Sequence, residues 1–329
     1  MNKKFGWCFI GCGSIAKRVM ADMPKTDGGY IAAVTSRTYE KTSAFAEQYG
    51  AKAYPIESVA QAIRDPDVKG VYVATYHKSH MEYAILALEN GKPVLCEKPF
   101  AINFNDAKKM TETAKKNKIY LMEGMWTRHN PAIKKVLSWI AEGRIGQVKT
   151  LTADFAFNGA ANGFTGNMFD PNQAGGSVLE IGIYPIALSQ FIFGGKPRSV
   201  SAVADFTPTG VDGMCAVHLN YENGGIARLF SGITVDTPDT ARIYGESGEI
   251  NIPKFWAPDS AELITSSGKE TYRTNKEGEG FYFEFNAMME DIEAGRLENR
   301  YVTHASTLGV LEILDEIRRQ INLRYPFEI

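Results

Sequence analysis

The chain is 329 residues long, which favours two domains over one or four. Hydrophobic residues are 44% and charged residues 22% of it, so it can bury sizeable cores and is not a disordered chain. A formal charge of -2, with 36 basic against 38 acidic residues, leaves no electrostatic footprint for nucleic acid or an anionic membrane.

Cysteine usage points the same way. Cys8, Cys12, Cys96 and Cys215 form no CxxC and lack zinc-finger spacing, which predicts neither a disulfide scaffold nor a metal site and suits a reducing compartment. Two early lysines and a short apolar run make the first ten residues weakly leader-like, but the run is brief. Nothing is read as approaching the ~18 apolar residues of a membrane span. A cytoplasmic protein without nucleic-acid or membrane partners is expected.

From the start, short apolar runs alternate with segments of helical period. Phe5–Ile10 reads as a buried strand, Ser14 to about Met23 as a helix, Tyr30–Val34 as a strand, and Tyr39–Tyr49 as a helix ended by Gly50. Val68–Ala74 is a β-branched run, and Met81, Ala84, Ile85 and Leu88 form an amphipathic stripe closed by Asn90-Gly91. Pro93–Cys96 and Ile119–Met122 complete a pattern that predicts a parallel, doubly wound sheet.

Beyond about residue 125 the pattern changes. A helix through Ile133, Val136, Leu137 and Ile140 ends at Gly143, and Gln147–Phe157 alternates as a strand does. Asn223-Gly224-Gly225 between Ala216–Tyr221 and Ile226–Ile233 signals a hairpin, and Gly245 to Gly248 a second. Helices over Phe283–Ala294 and Thr307–Asn322 finish the chain. The expected architecture is α/β: a Rossmann domain over 1–124, then an α+β domain over 125–329 with a large, open, mostly antiparallel sheet.

Gly11-Cys12-Gly13-Ser14-Ile15-Ala16 is a G-x-G-x-x-A that follows a strand and opens a helix. The first glycine permits the tight turn, the second lets backbone approach a pyrophosphate, and the small Ala16 lets helix meet sheet. Gly11, Gly13, Ser14, Ile15 and Ala16 are therefore the expected cradle of a dinucleotide, with the helix N-terminus facing its charge. An NAD site usually has a carboxylate about 20 positions on. This chain has Ser36-Arg37 there, and a hydroxyl with a guanidinium suits a 2′-phosphate, so NADP is expected over NAD.

Strand Val94–Cys96 runs into Glu97-Lys98-Pro99, preceded by Thr75-Tyr-His-Lys-Ser-His80. With Gly175-Gly176-Ser177-Val178-Leu179-Glu180-Ile181-Gly182-Ile183-Tyr184, these motifs resemble the glucose-fructose oxidoreductase, inositol dehydrogenase and rhizopine-catabolism (Gfo/Idh/MocA) family over essentially the whole chain. The resemblance implies that Lys98 lies between nicotinamide and substrate, and that the second domain's sheet makes dimers. Tyr184, with Leu121 to Arg128, is similar to the dimeric dihydrodiol dehydrogenase and NADP-dependent xylose dehydrogenase branch. Glu180 departs from the aspartate usual in the family.

Oxidising a secondary alcohol moves a hydride from carbon and a proton from oxygen, so an acid/base must face that oxygen. A phenol titrates near 10, and an adjacent ammonium lowers it. Tyr184 and Lys98 are the expected catalytic pair, and Glu180, four positions from Tyr184 in a predicted helix, orients the substrate. Thr75, His80 and Glu97 are expected beside the cofactor, and Trp126 and Arg128 beside the substrate. His77 reads as a loop or capping residue, and Phe155, Phe157, Trp256, Phe281 and Phe283 as core aromatics or apolar pocket walls. The function expected is NADP-dependent interconversion of alcohol and carbonyl on a sugar, polyol or vicinal diol, by a homodimer or a tetramer. Two rivals are an enzyme that uses a tightly held nicotinamide transiently, for glycoside cleavage or internal redox, and a non-catalytic NADPH sensor.

Overall fold

A computed structural model of the chain describes residues 4–328; the Met1–Lys3 part of the leader-like start lies outside the described residues. The chain forms two compact units. One holds residues up to Ala101, Asn105–His129 and Lys276–Thr307, and the other holds Ile102–Phe104, Asn130–Asn275 and residues from Leu308 on.

The first unit is built on six parallel strands: β1 (Phe5–Ile10), β2 (Gly29–Ser36), β3 (Lys52–Pro55), β4 (Gly70–Val73), β5 (Val94–Glu97) and β6 (Leu121–Gly124). Their order is β3-β2-β1-β4-β5-β6, the doubly wound order that reverses between β1 and β4. Trp7 to Ile10 and all of β4 and β5 are buried, as strands covered on both faces must be. Helices α1 (Ser14–Asp22), α2 (Tyr39–Tyr49), α3 (Val59–Arg64), α4 (His80–Glu89) and α5 (Phe104–Asn117) supply the crossovers. Gly50, at φ 66°, ends α2 in the left-handed conformation that a glycine takes without strain.

One expectation is corrected here: the chain does not divide once near residue 124. The first unit runs to His129 and then takes back Lys276–Thr307. The reason is aromatic packing. Phe285, on the helix Tyr282–Glu293, lies 4.7 Å from the Trp7 ring and 5.3 Å from that of Tyr72. Burying such a side chain contributes about 1.5–3 kcal/mol, and the sheet face would lack that cover without the returning helix. Asp22 fixes its start, because its carboxylate accepts from the Gly280 and Phe281 amides at 2.7 and 3.0 Å.

In the second unit, α6 (Pro131–Ala141) precedes β7 (Val148–Ala156), and α7 (Ile183–Phe193) precedes β8 (Pro197–Phe206), β9 (Asp212–Tyr221) and β10 (Ile226–Gly232). Strands β11 (Ala241–Gly245), β12 (Gly248–Ile252), β13 (Ser260–Thr265) and β14 (Gly268–Arg273) follow. They form one eight-stranded sheet, ordered β14-β13-β12-β11-β7-β10-β9-β8. Both expected hairpins form, β9–β10 and β11–β12, and the parallel contact is β10 on β7. The inner face carries Leu151, Ala153, Val217, Leu219, Leu229, Ile243, Ile250 and Leu263, all buried.

Two further expectations are corrected in this unit. Residues 171–193 do form a helical run long and apolar enough to cross a membrane, but its apolar window is 83% buried, as in a core helix. The segment read as one helix through Glu180 and Tyr184 opens with a π-turn, Val178–Gly182, before α7 begins. Such turns insert a residue into the helical ladder and recur at functional sites.

Candidate active site

The turn after β1 is shaped as the glycine spacing predicts. Gly11 has φ 111°, and a Cβ there would stand 2.3 Å from the Ala74 carbonyl oxygen, so the first glycine is required by both strain and space. At Gly13 a Cβ would meet nothing within 4 Å, leaving the backbone open to a ligand. Helix α1 begins there with no side-chain cap and no acid in its first turn, so neither of these offsets its N-terminal dipole. Ala16 is fully buried, where a larger residue would part helix from sheet. Ser14 is exposed and Ile15 half-buried. This open cradle fits a dinucleotide pyrophosphate.

Ser36 ends β2, and its hydroxyl lies 2.7 Å from that of Thr42. The exposed Arg37 guanidinium stacks over the Tyr76 ring at 4.3 Å. A guanidinium placed over an aromatic face still has N–H donors to offer an acceptor.

At the ends of β4 and β5 the residues divide. Lys98 is half-buried. Glu97 turns inward: the Tyr72 hydroxyl donates to its carboxylate at 2.6 Å, and the Lys98 amide donates to the other oxygen at 3.2 Å. Burial pushes the Glu97 carboxyl above its ordinary range, against those hydrogen bonds. His80 is fully buried, with Nδ1 2.9 Å from the Pro99 carbonyl and Nε2 3.2 Å from that of Thr75. Burial lowers its pKa to about 3. A neutral ring can donate to only one of those carbonyls. Glu97 and His80, expected beside the cofactor, lie at the β4 and β5 ends, where these side-chain hydrogen bonds hold them.

Trp126 and Arg128 are also drawn in. Trp126 stacks on Phe281 at 4.2 Å, and Arg128 donates to the Tyr301 carbonyl at 3.1 Å and to the Ser306 hydroxyl at 2.9 Å. Burial brings the Arg128 pKa down to about 9, opposed by the Glu123 carboxylate. Both residues, expected beside the substrate, are thus tied to the returning segment, which sequence patterning gave no reason to place there.

In the second unit the Gly-Gly motif is packed shut. At Gly175 a Cβ would stand 2.5 Å from the Met168 carbonyl oxygen, and at Gly176 (φ 118°) 2.0 Å from Asp212 Oδ1. The π-turn that follows presents Glu180, half-buried, and α7 presents Tyr184, 7% exposed. Four residues nearly complete a helical turn, so the two share a side of the segment. The Tyr184 ring meets Phe155 edge-on at 5.6 Å, and Phe155 stacks on Trp256 at 4.9 Å. An aromatic wall beside a phenol and a carboxylate can hold a substrate that has both carbon faces and hydroxyls.

Asp212, Tyr72 and Glu284 escape the sequence reading. Asp212 leaves a weak signal: it is an acid followed by glycine at the start of a strand. Glu284 leaves less, since on a helix it looks like any solvated acid, yet it is fully buried.

Two family descriptions match the chain. An oxidoreductase family with an NAD-binding Rossmann fold covers residues 5–125, and a GFO/IDH/MocA C-terminal domain covers 133–251. Mouse trans-1,2-dihydrobenzene-1,2-diol dehydrogenase is 31% identical over 97% of this chain and 98% of its own. An aldose-aldose oxidoreductase from Caulobacter crescentus superimposes with a TM-score of 0.87 at 26% identity, over 97% of this chain and 98% of that one. A 3-ketoreductase from Actinomadura kijaniata, solved with NADP and TDP-benzene, shares the fold with a TM-score of 0.87 at 23% identity, with the same coverage.

Proposed function

From the chain's membership of the Gfo/Idh/MocA oxidoreductase family, we propose that it interconverts a secondary alcohol and a carbonyl on a sugar, polyol or vicinal diol, with NADP preferred over NAD. The observation that carries this reading is the pairing of a phenol and a carboxylate, Tyr184 and Glu180, on one side of a segment beside an aromatic wall. A small-molecule hydroxyl needs both groups.

The residues divide the work. The Gly11–Ala16 turn holds the pyrophosphate through backbone amides, and Arg37 takes the 2′-phosphate. When bound, the nicotinamide supplies the hydride acceptor or donor. Tyr184 Oη takes the proton of the substrate hydroxyl in oxidation and returns it in reduction. Lys98, as an ammonium, favours the ionised phenol. Glu180 accepts a hydrogen bond from a neighbouring hydroxyl and so fixes which carbon reacts. Glu97 and His80 keep the Lys98 backbone in place.

A screen of sugars and diols followed by NADPH absorbance identifies the substrate. On a good substrate, Tyr184→Phe removes one oxygen and lowers kcat by about 10²–10⁴, with cofactor affinity kept. Lys98→Met is at least as damaging, and the double variant costs less than the product of the two. Wild-type kcat in Tyr184→Phe would make the tyrosine a packing residue and end this reading.

The same reading includes a homodimer. Val203 and Ile226, on the outer side of β8 and β10, are 69% and 43% exposed, a poor surface to leave to water. Two-fold pairing of that face covers it. A stable monomer at micromolar concentration in light scattering would refute the dimer.

A further inference from the structure

We propose that Asp212 is a positioning residue for the reaction: from β9 it clamps the π-turn and thereby sets the direction in which Glu180 and Tyr184 point. The inference rests on the assignment of Tyr184 as the acid/base.

The clamp is visible bond by bond. Asp212 Oδ2 accepts from the Val178 amide at 2.7 Å and from the Ser177 hydroxyl at 2.8 Å. Val178 opens the π-turn, so its amide is one of the orphan donors that a helix start must satisfy. Ordinarily the residue just before the helix caps such an amide with its own side chain. Here Ser177 gives no cap to its own helix and spends its hydroxyl on Asp212. The cap comes from another strand.

The exit of the turn lies against the same group of side chains. Ser177 Oγ lies 3.1 Å from Ser231 Oγ on β10, and a Cβ at Gly182 would stand 2.9 Å from that same Ser231 oxygen. Entry at Val178 is thus bonded to β9 and exit at Gly182 lies close against β10, with Glu180 between them and Tyr184 just beyond. Gly176 completes the arrangement, since any side chain there would strike Asp212 Oδ1. Burial pushes the Asp212 carboxyl up to about 7, against the hydrogen bonds that pull it down.

A π-turn carries one residue more than an α-turn of the same path. Released from Asp212, the segment is free to relax towards α-helical winding. Glu180 would then shift by part of a turn relative to Tyr184, and the pair would meet the substrate off the direction that the clamp sets. Loss of Asp212 should therefore be felt in catalysis before it is felt in cofactor binding, which belongs to the other unit.

The test uses the full-length enzyme with its best substrate. Asp212→Leu should lower kcat by about 10- to 100-fold, the usual cost of a small misplacement, while the Kd for NADPH stays unchanged. Asp212→Asn retains an acceptor for the Val178 amide and should recover most of that loss. Tyr184→Phe should cost less in the Asp212→Leu background than in the wild type, because a misdirected phenol has less left to lose. If Asp212→Leu lowers Tm but leaves kcat and KM at wild-type values, while Tyr184→Phe still abolishes activity, Asp212 is structural only and the proposal fails. If Tyr184→Phe is itself fully active, the functional reading falls and takes this inference with it. Should Asp212→Leu not fold, Ser177→Ala decides: a fall in kcat without a change in NADPH affinity supports the clamp, and unchanged kcat overturns it.

Discussion

The turn at Gly11–Ala16 and the turn at Gly175–Gly182 both use paired glycines to lead into a helix, yet they spend them in opposite ways. In the first, Gly11 is pressed against Ala74, but the Cβ position of Gly13 is open and the helix start is uncapped. In the second, both glycines are filled against protein, and the helix start is capped by Asp212. One turn leaves its helix start uncapped, and the other caps its helix start with a side chain from another strand. A glycine motif therefore specifies close approach, and what approaches decides whether the site binds or aims.

Substitutions at the glycines break this contrast most strongly. Gly176→Ala combines a strained left-handed backbone, about 1–3 kcal/mol, with overpacking against Asp212, about 1–3 kcal/mol. Denaturant unfolding should show a loss of about 2–6 kcal/mol. A loss below about 1 kcal/mol would mean that the second turn is not packed as described.

Arg37→Ala tests the ligand side of the contrast. A charge-assisted hydrogen bond contributes about 1.5–3 kcal/mol, so NADP binding should weaken about 10- to 150-fold, with NAD binding nearly unchanged. Equal loss for both cofactors in a titration would remove Arg37 from the 2′-phosphate.

Buried carboxyls give a third comparison. Asp212 has two donors on one oxygen, whereas neither oxygen of Glu284 has a hydrogen-bond partner among the described residues. Burial, reinforced by the Glu97 and Glu123 carboxylates, holds the Glu284 pKa well above its ordinary 4.5. A folded-state value above the unfolded one means that stability is complete below about pH 4.5 and is lost as pH rises. Glu284→Gln has no charge to bury, so its Tm should exceed the wild type by several degrees at pH 8 and converge with it near pH 4. A Tm difference that does not change with pH would show that Glu284 ionises freely.

The smallest expected effect is at Gly13. Its φ of -76° suits any residue, and Gly→Ala at a compatible site stabilises by about 0.4–1 kcal/mol. Gly13→Ala should thus unfold no earlier than the wild type while binding NADPH more weakly. Earlier unfolding would show that Gly13 is needed by the protein and not only by its ligand.

Much of the fold was legible because its signals are local. Strand–helix alternation through Met122, the Gly50 stop and the Asn223-Gly224-Gly225 hairpin depend on neighbours in sequence, and each forms as its residues predict. The site was less legible. Arg128 looks like a residue at the end of the last Rossmann strand, but one of its guanidinium nitrogens donates to Tyr301 and Ser306, far along the chain. His80, expected beside the cofactor from its place after β4, has two backbone carbonyls lying against its ring. No spacing rule reports such partners.

By itself the sequence determined the two kinds of sheet, the dinucleotide turn and the residues with chemistry to offer, because periodicity, glycine spacing and side-chain type are written along the chain. Only the tertiary structure decided which of those residues are spent on the protein. The helix Tyr282–Glu293 belongs with the first sheet because Phe285 fills a gap among Trp7, Phe9 and Tyr72. Asp212 matters because folding brings β9 against Val178. Burial and hydrogen-bond satisfaction are set by contacts between residues distant in sequence, and these contacts separate a group held ready for substrate from one committed to the core.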